Sequence, residues 1–275
     1  RCPRRGSTMR RDAAPPTANQ RITVLLYRKR KMNGKKKIIT IFIALMGLTN
    51  LFAQGHQLQQ DLYQLQSWKA GCVVSTEAVK RYGLARCFRA EVIPDAVFAR
   101  MRGKSYPPGC TIARSSLRYV RTLYIGFDGY THIDELVCNK LIAADMVDIF
   151  RELYQQRYPI GMMRLIDDYG ASDENSMRAN NTSCFCYRAV KGTAKLSKHA
   201  EGLAVDVNPL YNPCVRRSHG KTTIQPATAS RYANRTTPFA HKITRGDLLY
   251  KVFTAHGFRW GGAWHSLKDY QHFER

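Results

Sequence analysis

Four residues in the last third of the chain carry the chemistry: His199 and Asp206, seven apart, and Asp269 and His272, three apart. Two imidazoles and one carboxylate supply three protein ligands for a metal, and one carboxylate is left over. A hydrolytic zinc site has that inventory. It needs three ligands, an open fourth position for water, and a base that does not ligate. The residue types therefore assign His199, Asp206 and His272 as ligands and Asp269 as the base. A His and an Asp at this spacing also arise by chance. The whole string from Ser197 through His199, Gly202 and Ala204 to Asp206 is what lifts the pair above chance.

The elements that must position these groups come next. Leu203, Val205 and Val207 alternate with Ala204, Asp206 and Asn208. That is the period-two pattern of a strand, with Asp206 on the face opposite the aliphatics. Gly202 permits a tight bend that returns His199 over the strand. Asp269 and His272 would share one side of a single helical or 3₁₀ turn. Further upstream, Ile142, Met146, Ile149, Phe150 and Leu153 recur at helical spacing, and Pro159 stops that helix. A shorter helix is expected from Ile93 to Met101. Leu123, Ile125 and Phe127 read as a strand that turns at Asp128-Gly129, and residues 160–166 as another. Leu248, Leu249, Val252 and Phe253 form one helix face, opened by Thr244 to Asp247 and ended by Gly257. Residues 208–243, with four prolines, read as a long connecting excursion. Residues 167–188 read as a long polar loop of the kind that often carries function.

The motif Ser197-x-His199-x-x-Gly202-x-Ala204-x-Asp206, followed by Asp269-x-x-His272, resembles the D-Ala-D-Ala carboxypeptidase and L-Ala-D-Glu peptidase group of zinc peptidases. The likeness runs from about Ile93 to Glu274, through Tyr158-Pro159-Ile160, Asn180 to Ser183, Tyr187-Arg188 and Asn208 to Pro213. The resemblance implies an α+β fold of the hedgehog/D,D-peptidase type: a small antiparallel sheet carrying the zinc site, with helices packed on one side. It implies hydrolysis of bacterial cell-wall stem peptides, of D,D-carboxypeptidase or L-Ala-D-Glu endopeptidase type. It gives Arg188 the task of stabilising the oxyanion, for which a fixed guanidinium is suited because it stays charged and donates from a rigid fork. Ser197 belongs to the matching motif and is carried over as a substrate contact. Trp260 and Trp264 either wall the cleft or fill the core. His265 lies close enough in sequence to support a ligand. Cys186, Cys214 and Ala263 depart from the family pattern, which affects the pocket and not the proposed ligands.

Composition sets the remaining bounds. The net charge is +24, and half of it lies in residues 1–53, which hold 13 Lys/Arg and a single Asp. Residues 1–31 read as an upstream over-read without apolar periodicity, and residues 32–53 as a secretory signal with a basic start and a short apolar run. That run is too short to span a bilayer. The exported protein would then have no stable membrane insertion and would reside in the periplasm or cell envelope. Residues 54–92 read as a helical lead-in, and 93–275 as the peptidase domain. A basic protein invites a nucleic-acid reading, but export and the lack of a basic-aromatic stripe argue against it. Seven cysteines follow the leader, an odd number. Some are expected in disulfides, and Cys184, Cys186 and Cys214 offer a rival thiolate zinc site. A further alternative is a non-catalytic wall-binding module that keeps zinc for stability; the intact Asp269 argues against it.

Overall fold

The computed structural model describes residue 49 and residues 52–275, apart from 191–192, 219 and 266. The chain divides into two units, Arg1–Gln57 and Leu58–Arg275. Within the first, the described residues 49 and 52–57 are helical. The expected over-read and nearly all of the expected signal lie outside the described residues.

The second unit opens with helical residues 58–67 (α1), whose Leu65 is fully buried. There follow β1 (Val73–Val74), α2 (Thr76–Tyr82), β2 (Arg89–Glu91) and α3 (Asp95–Met101). Ser75 caps α2 by accepting from the Ala78 amide, the ordinary way to satisfy an orphan donor of the first turn. β3 (Leu117–Ile125) and β4 (Thr131–Asn139) form a long hairpin, and the antiparallel order of this sheet is β1-β4-β3-β2. Residues 58–92, expected only to lead in, thus contribute two of its four strands.

α4 (Ala143–Gln155) crosses this sheet and buries Met146, Ile149, Phe150 and Leu153, the face read from the sequence. It also meets α6 (Leu248–Ala255) through Phe150 and Phe253, whose rings are 6.2 Å apart at 84°. Asp247 caps α6 by accepting from the Leu249 amide. The stretch 160–166 is not a strand. It makes one isolated bridge, between Met162 and Asn181, and then enters a 3₁₀ turn, Ile166–Tyr169, followed by α5 (Asp173–Arg178). Its backbone groups are met partly by backbone, as where the Ile160 amide donates to Ile125 O, and partly by side chains: the Gly161 amide donates to Asn208 Oδ1 and the Arg164 amide to Asn181 Oδ1.

The rest of the chain builds two small antiparallel sheets around the site. β5 (Ala204–Asp206), β8 (Arg259–Trp260) and β10 (His272–Glu274) pair in the order β5-β10-β8. β6 (Cys214–Ser218), β7 (Lys221–Gln225) and β9 (Leu267–Asp269) pair in the order β7-β6-β9. The architecture is α+β, as expected, but it has three small sheets in place of one. Two of the four prolines of 208–243, Pro213 and Pro226, flank a β-hairpin, so the stretch is not a structureless excursion. Val215 and Ile224 pair directly within it.

Candidate metal centre and cavity

His199, Asp206 and His272 come together, with one ligand atom from each within 4.8 Å of the others. Asp206 and His272 are directly opposed cross-strand partners on β5 and β10. Such pairs bring side chains together on one face of the sheet. His272 Nδ1 lies 3.0 Å from Asp206 Oδ1 and 3.2 Å from His199 Nε2, and His199 Nε2 lies 3.3 Å from Asp206 Oδ1. His199 reaches them from a tight turn in which the Gly202 amide donates to His199 O. Gly202 has φ +68°, and a Cβ there would sit 2.8 Å from the Asn139 amide nitrogen. The expected bend is therefore required twice over, by backbone conformation and by space.

The far side of each imidazole is also engaged. His199 Nδ1 donates to the Cys184 carbonyl at 2.7 Å, and His272 Nε2 faces Glu274 Oε2 at 3.4 Å. Those partners fix the ring orientations and turn His199 Nε2 and His272 Nδ1 toward the centre, the arrangement typical of metal-binding histidines. Glu274 itself is held by Arg259 at 2.9 Å. Glu274 escaped the sequence reading, although its place two residues after His272 on a strand puts both on one face. The Cys184 carbonyl left no sequence signal, because any residue supplies a carbonyl.

Electrostatics matches the geometry. Burial alone would raise the Asp206 carboxyl, but the imidazoles beside it, His199 foremost, outweigh that and hold it well below the usual range. Burial would lower His272, yet its bonds to Asp206 and Glu274 push it up to about 10. Without a metal, this imidazole is protonated on both nitrogens at neutral pH and paired with Asp206.

Asp269 ends β9, opposite Cys214 of β6. Its Oδ1 is buried and has no hydrogen-bond partner. Burial first, and then the charge of Asp206, push the carboxyl up to about 6. Asp269 and His272 do not share a helical turn, as their spacing suggested. They occupy consecutive strands of different sheets, β9 and β10, and the chain changes sheet at Tyr270-Gln271. Gly261 makes this crossing possible: a Cβ there would lie 2.7 Å from Asp269 O and 3.2 Å from His272 Cβ.

These groups face an open cavity of about 590 Å³, lined also by Arg188, Ser197, Trp264 and Gln271. Arg188 is held there by an ion pair with Asp173. The Ser197 hydroxyl accepts from the His199 amide at 3.2 Å, so it organises the turn as well as lining the cavity. The Trp264 ring lies 5.2 Å from that of His272. Trp260 does not line the cavity. Its indole is buried against Phe273 and Tyr250, and its Nε1 donates to the Tyr270 carbonyl. His265 is exposed and does not line the cavity either.

The thiolate alternative finds no support. Among the described residues, the His-Asp-His group is the one cluster of metal-ligand type. Cys184, Cys186 and Cys214 are buried thiols, and burial pushes each of them up. All seven described cysteines are free, so the expected disulfides are not formed.

Fold and site together define an α+β protein whose cavity carries a His-Asp-His group that could hold a metal ion, with the Asp269 carboxylate beside it. Residues 191–275 match the family described as D-alanyl-D-alanine carboxypeptidase. The matched stretch contains His199, Asp206, Asp269 and His272, while Arg188 lies just ahead of it. The resemblance read from the motifs is thereby met, and the match supports a peptidase. No solved structure matches the chain.

Proposed function

We propose that this chain is an exported zinc peptidase that hydrolyses the stem peptides of bacterial cell wall at a bond involving a D-residue. The observation that carries the proposal is the convergence of His199, Asp206 and His272 with the Asp269 carboxylate, whose Oδ1 has no hydrogen-bond partner, in one open cavity. Two imidazoles and a carboxylate are a donor set that zinc accepts, and the outward ring atoms of the imidazoles are already engaged by the Cys184 carbonyl and Glu274. Bound there, zinc supplies a polarised scissile carbonyl and a water acidic enough to act near neutral pH. Asp269 takes the proton of the attacking water and returns it to the leaving amine, a role suited to a carboxyl raised to about 6. Arg188, anchored by Asp173, donates to the developing oxyanion. Trp264 and Ser197 line the space beside these groups and contact the substrate peptide.

The family description favours cleavage of a terminal D-Ala. The L-Ala-D-Glu endopeptidase reaction uses the same groups and differs in the bond presented to them. Mass spectrometry of purified peptidoglycan and soluble muropeptides, incubated with the protein with and without chelator, tests the proposal. Loss of a single D-Ala identifies a D,D-carboxypeptidase. Release of whole stem peptides identifies the endopeptidase. No product from a folded, zinc-loaded sample rejects both in favour of the wall-binding module.

A further inference from the structure

The sheet β7-β6-β9 has two faces with different chemistry. Along β6, Cys214 and Arg216 line the catalytic cavity. Val215 and Arg217, which alternate with them, line a second, shallower groove of about 450 Å³ on the reverse face. The pairing register agrees: Gln225, opposite Cys214, faces the cavity, and Thr222, opposite Arg217, faces the groove. The other walls come from the 3₁₀ turn Ala227–Tyr232, from residues 233–236 and from Tyr270.

Arg235 is the unusual group here. Its guanidinium lies over the Tyr270 ring at 4.2 Å and the Phe239 ring at 5.1 Å. It donates to Tyr211 O, Asn212 Oδ1 and Ile243 O, all neutral acceptors. No ion pair with a carboxylate is among these contacts. No Asp or Glu of the described residues lines the groove, and Arg217 adds a second cation there. Burial without a counter-charge lowers Arg235 to about 10. Ser230, Thr222 and Thr236 line the same groove, and the Thr236 hydroxyl donates to Asn234 Oδ1.

The geometry points to an oxyanion-binding site in this groove, formed by Arg235 and Arg217 with the surrounding hydroxyls, for a ligand bearing a phosphate or carboxylate group. A half-buried guanidinium in a groove with a second arginine and no carboxylate is completed by such a ligand, and planar guanidinium donors suit both groups. The site is separate from the catalytic cavity, so the inference stands whether or not the peptidase reading holds. Tyr270 links the two, since it stacks on Arg235 and is the residue next to Asp269.

The test is isothermal titration of the full, metal-free chain with inorganic phosphate and, in a second arm, acetate, at constant ionic strength. The expected result is saturable one-to-one binding of at least one of them. Arg217→Gln, at an exposed position, weakens it about tenfold or more. Arg235→Lys weakens it further where that variant folds. Arg188→Gln, in the catalytic cavity, leaves it unchanged. Preference for phosphate over acetate, or the reverse, names the ligand class. Absence of saturable binding, wild-type affinity in Arg217→Gln, or loss of binding in Arg188→Gln overturns the inference.

Discussion

Replacing Asp269 by Asn separates the carboxylate's chemical role from its structural cost. Asn keeps the shape and cannot accept a proton from water. Turnover should fall by about 10²–10⁴-fold, the usual contribution of a general base. Metal affinity should stay near wild type, because Asp269 is outside the three-ligand cluster. Stability should move the other way. The carboxyl is raised from 3.8 to about 6 on folding, by burial and then by Asp206. A carboxyl raised on folding favours the native state below its unfolded pKa, and that advantage is lost as the pH rises through about 6. At about 1.4 kcal/mol per pH unit, the buried charge of the metal-free protein costs roughly 3 kcal/mol at neutral pH as an upper figure. The neutral amide of the variant does not carry that cost. Metal-free Asp269→Asn should therefore melt several degrees above wild type at pH 7.5, at about 2–4 °C per kcal/mol for a unit of this size. The two should converge near pH 4. A bound divalent cation lowers the Asp269 carboxyl and should shrink the difference. Calorimetry at the two pH values, with muropeptide mass spectrometry alongside, checks both halves. Wild-type turnover in the variant refutes the base assignment, and an equal melting gain at both pH values refutes the buried-charge argument.

Other perturbations reach the same site from different sides. Glu274→Gln weakens the orientation of His272 and should lower metal affinity about 10–100-fold, read by competition with a chelator. Metal binding at pH 7 should release about one proton, because His272 is held up to about 10 and must lose its Nδ1 proton to ligate. Titration calorimetry in buffers of different ionisation enthalpy counts it, and the release should vanish above that pH. Gly261→Ala places a methyl 2.7 Å from the Asp269 carbonyl and should cost about 1–3 kcal/mol, seen as a lower melting temperature. Phe253→Ala empties a fully buried position between Phe150 and Phe273 and should cost about 3–5 kcal/mol, measured by denaturant unfolding.

The legible parts of the sequence were those governed by local period. The α4 stripe and the alternation around Asp206 each reflect a face repeated within one element, and both appear in the structure. The turn at Gly202 was readable because glycine has few rivals at positive φ. The register between β5 and β10 was not readable, since strand pairing joins residues far apart in sequence. The relation of Asp269 to His272 was misread for a physical reason. A three-residue spacing suits one helical turn, but it equally suits a chain that leaves one strand, crosses two residues and enters another. The hairpin of β6 and β7 was hidden by the prolines on either side of it. At 160–166 a regular ladder is interrupted at Gly161 and Arg164, whose amides turn to the Asn208 and Asn181 side chains.

The direct opposition of His272 and Asp206 ties site assembly to strand registration. β10 is the central strand of its sheet, and Phe273, the residue after His272, is fully buried. A slip of one residue would turn Phe273 toward the cavity and bury His272 in its place, since side chains alternate strictly along a strand. Misregistered chains would therefore lose the metal centre and a core aromatic in the same step. Metal capture becomes a reporter of correct pairing: an ion held at full affinity certifies that the last strand has docked in its native alignment.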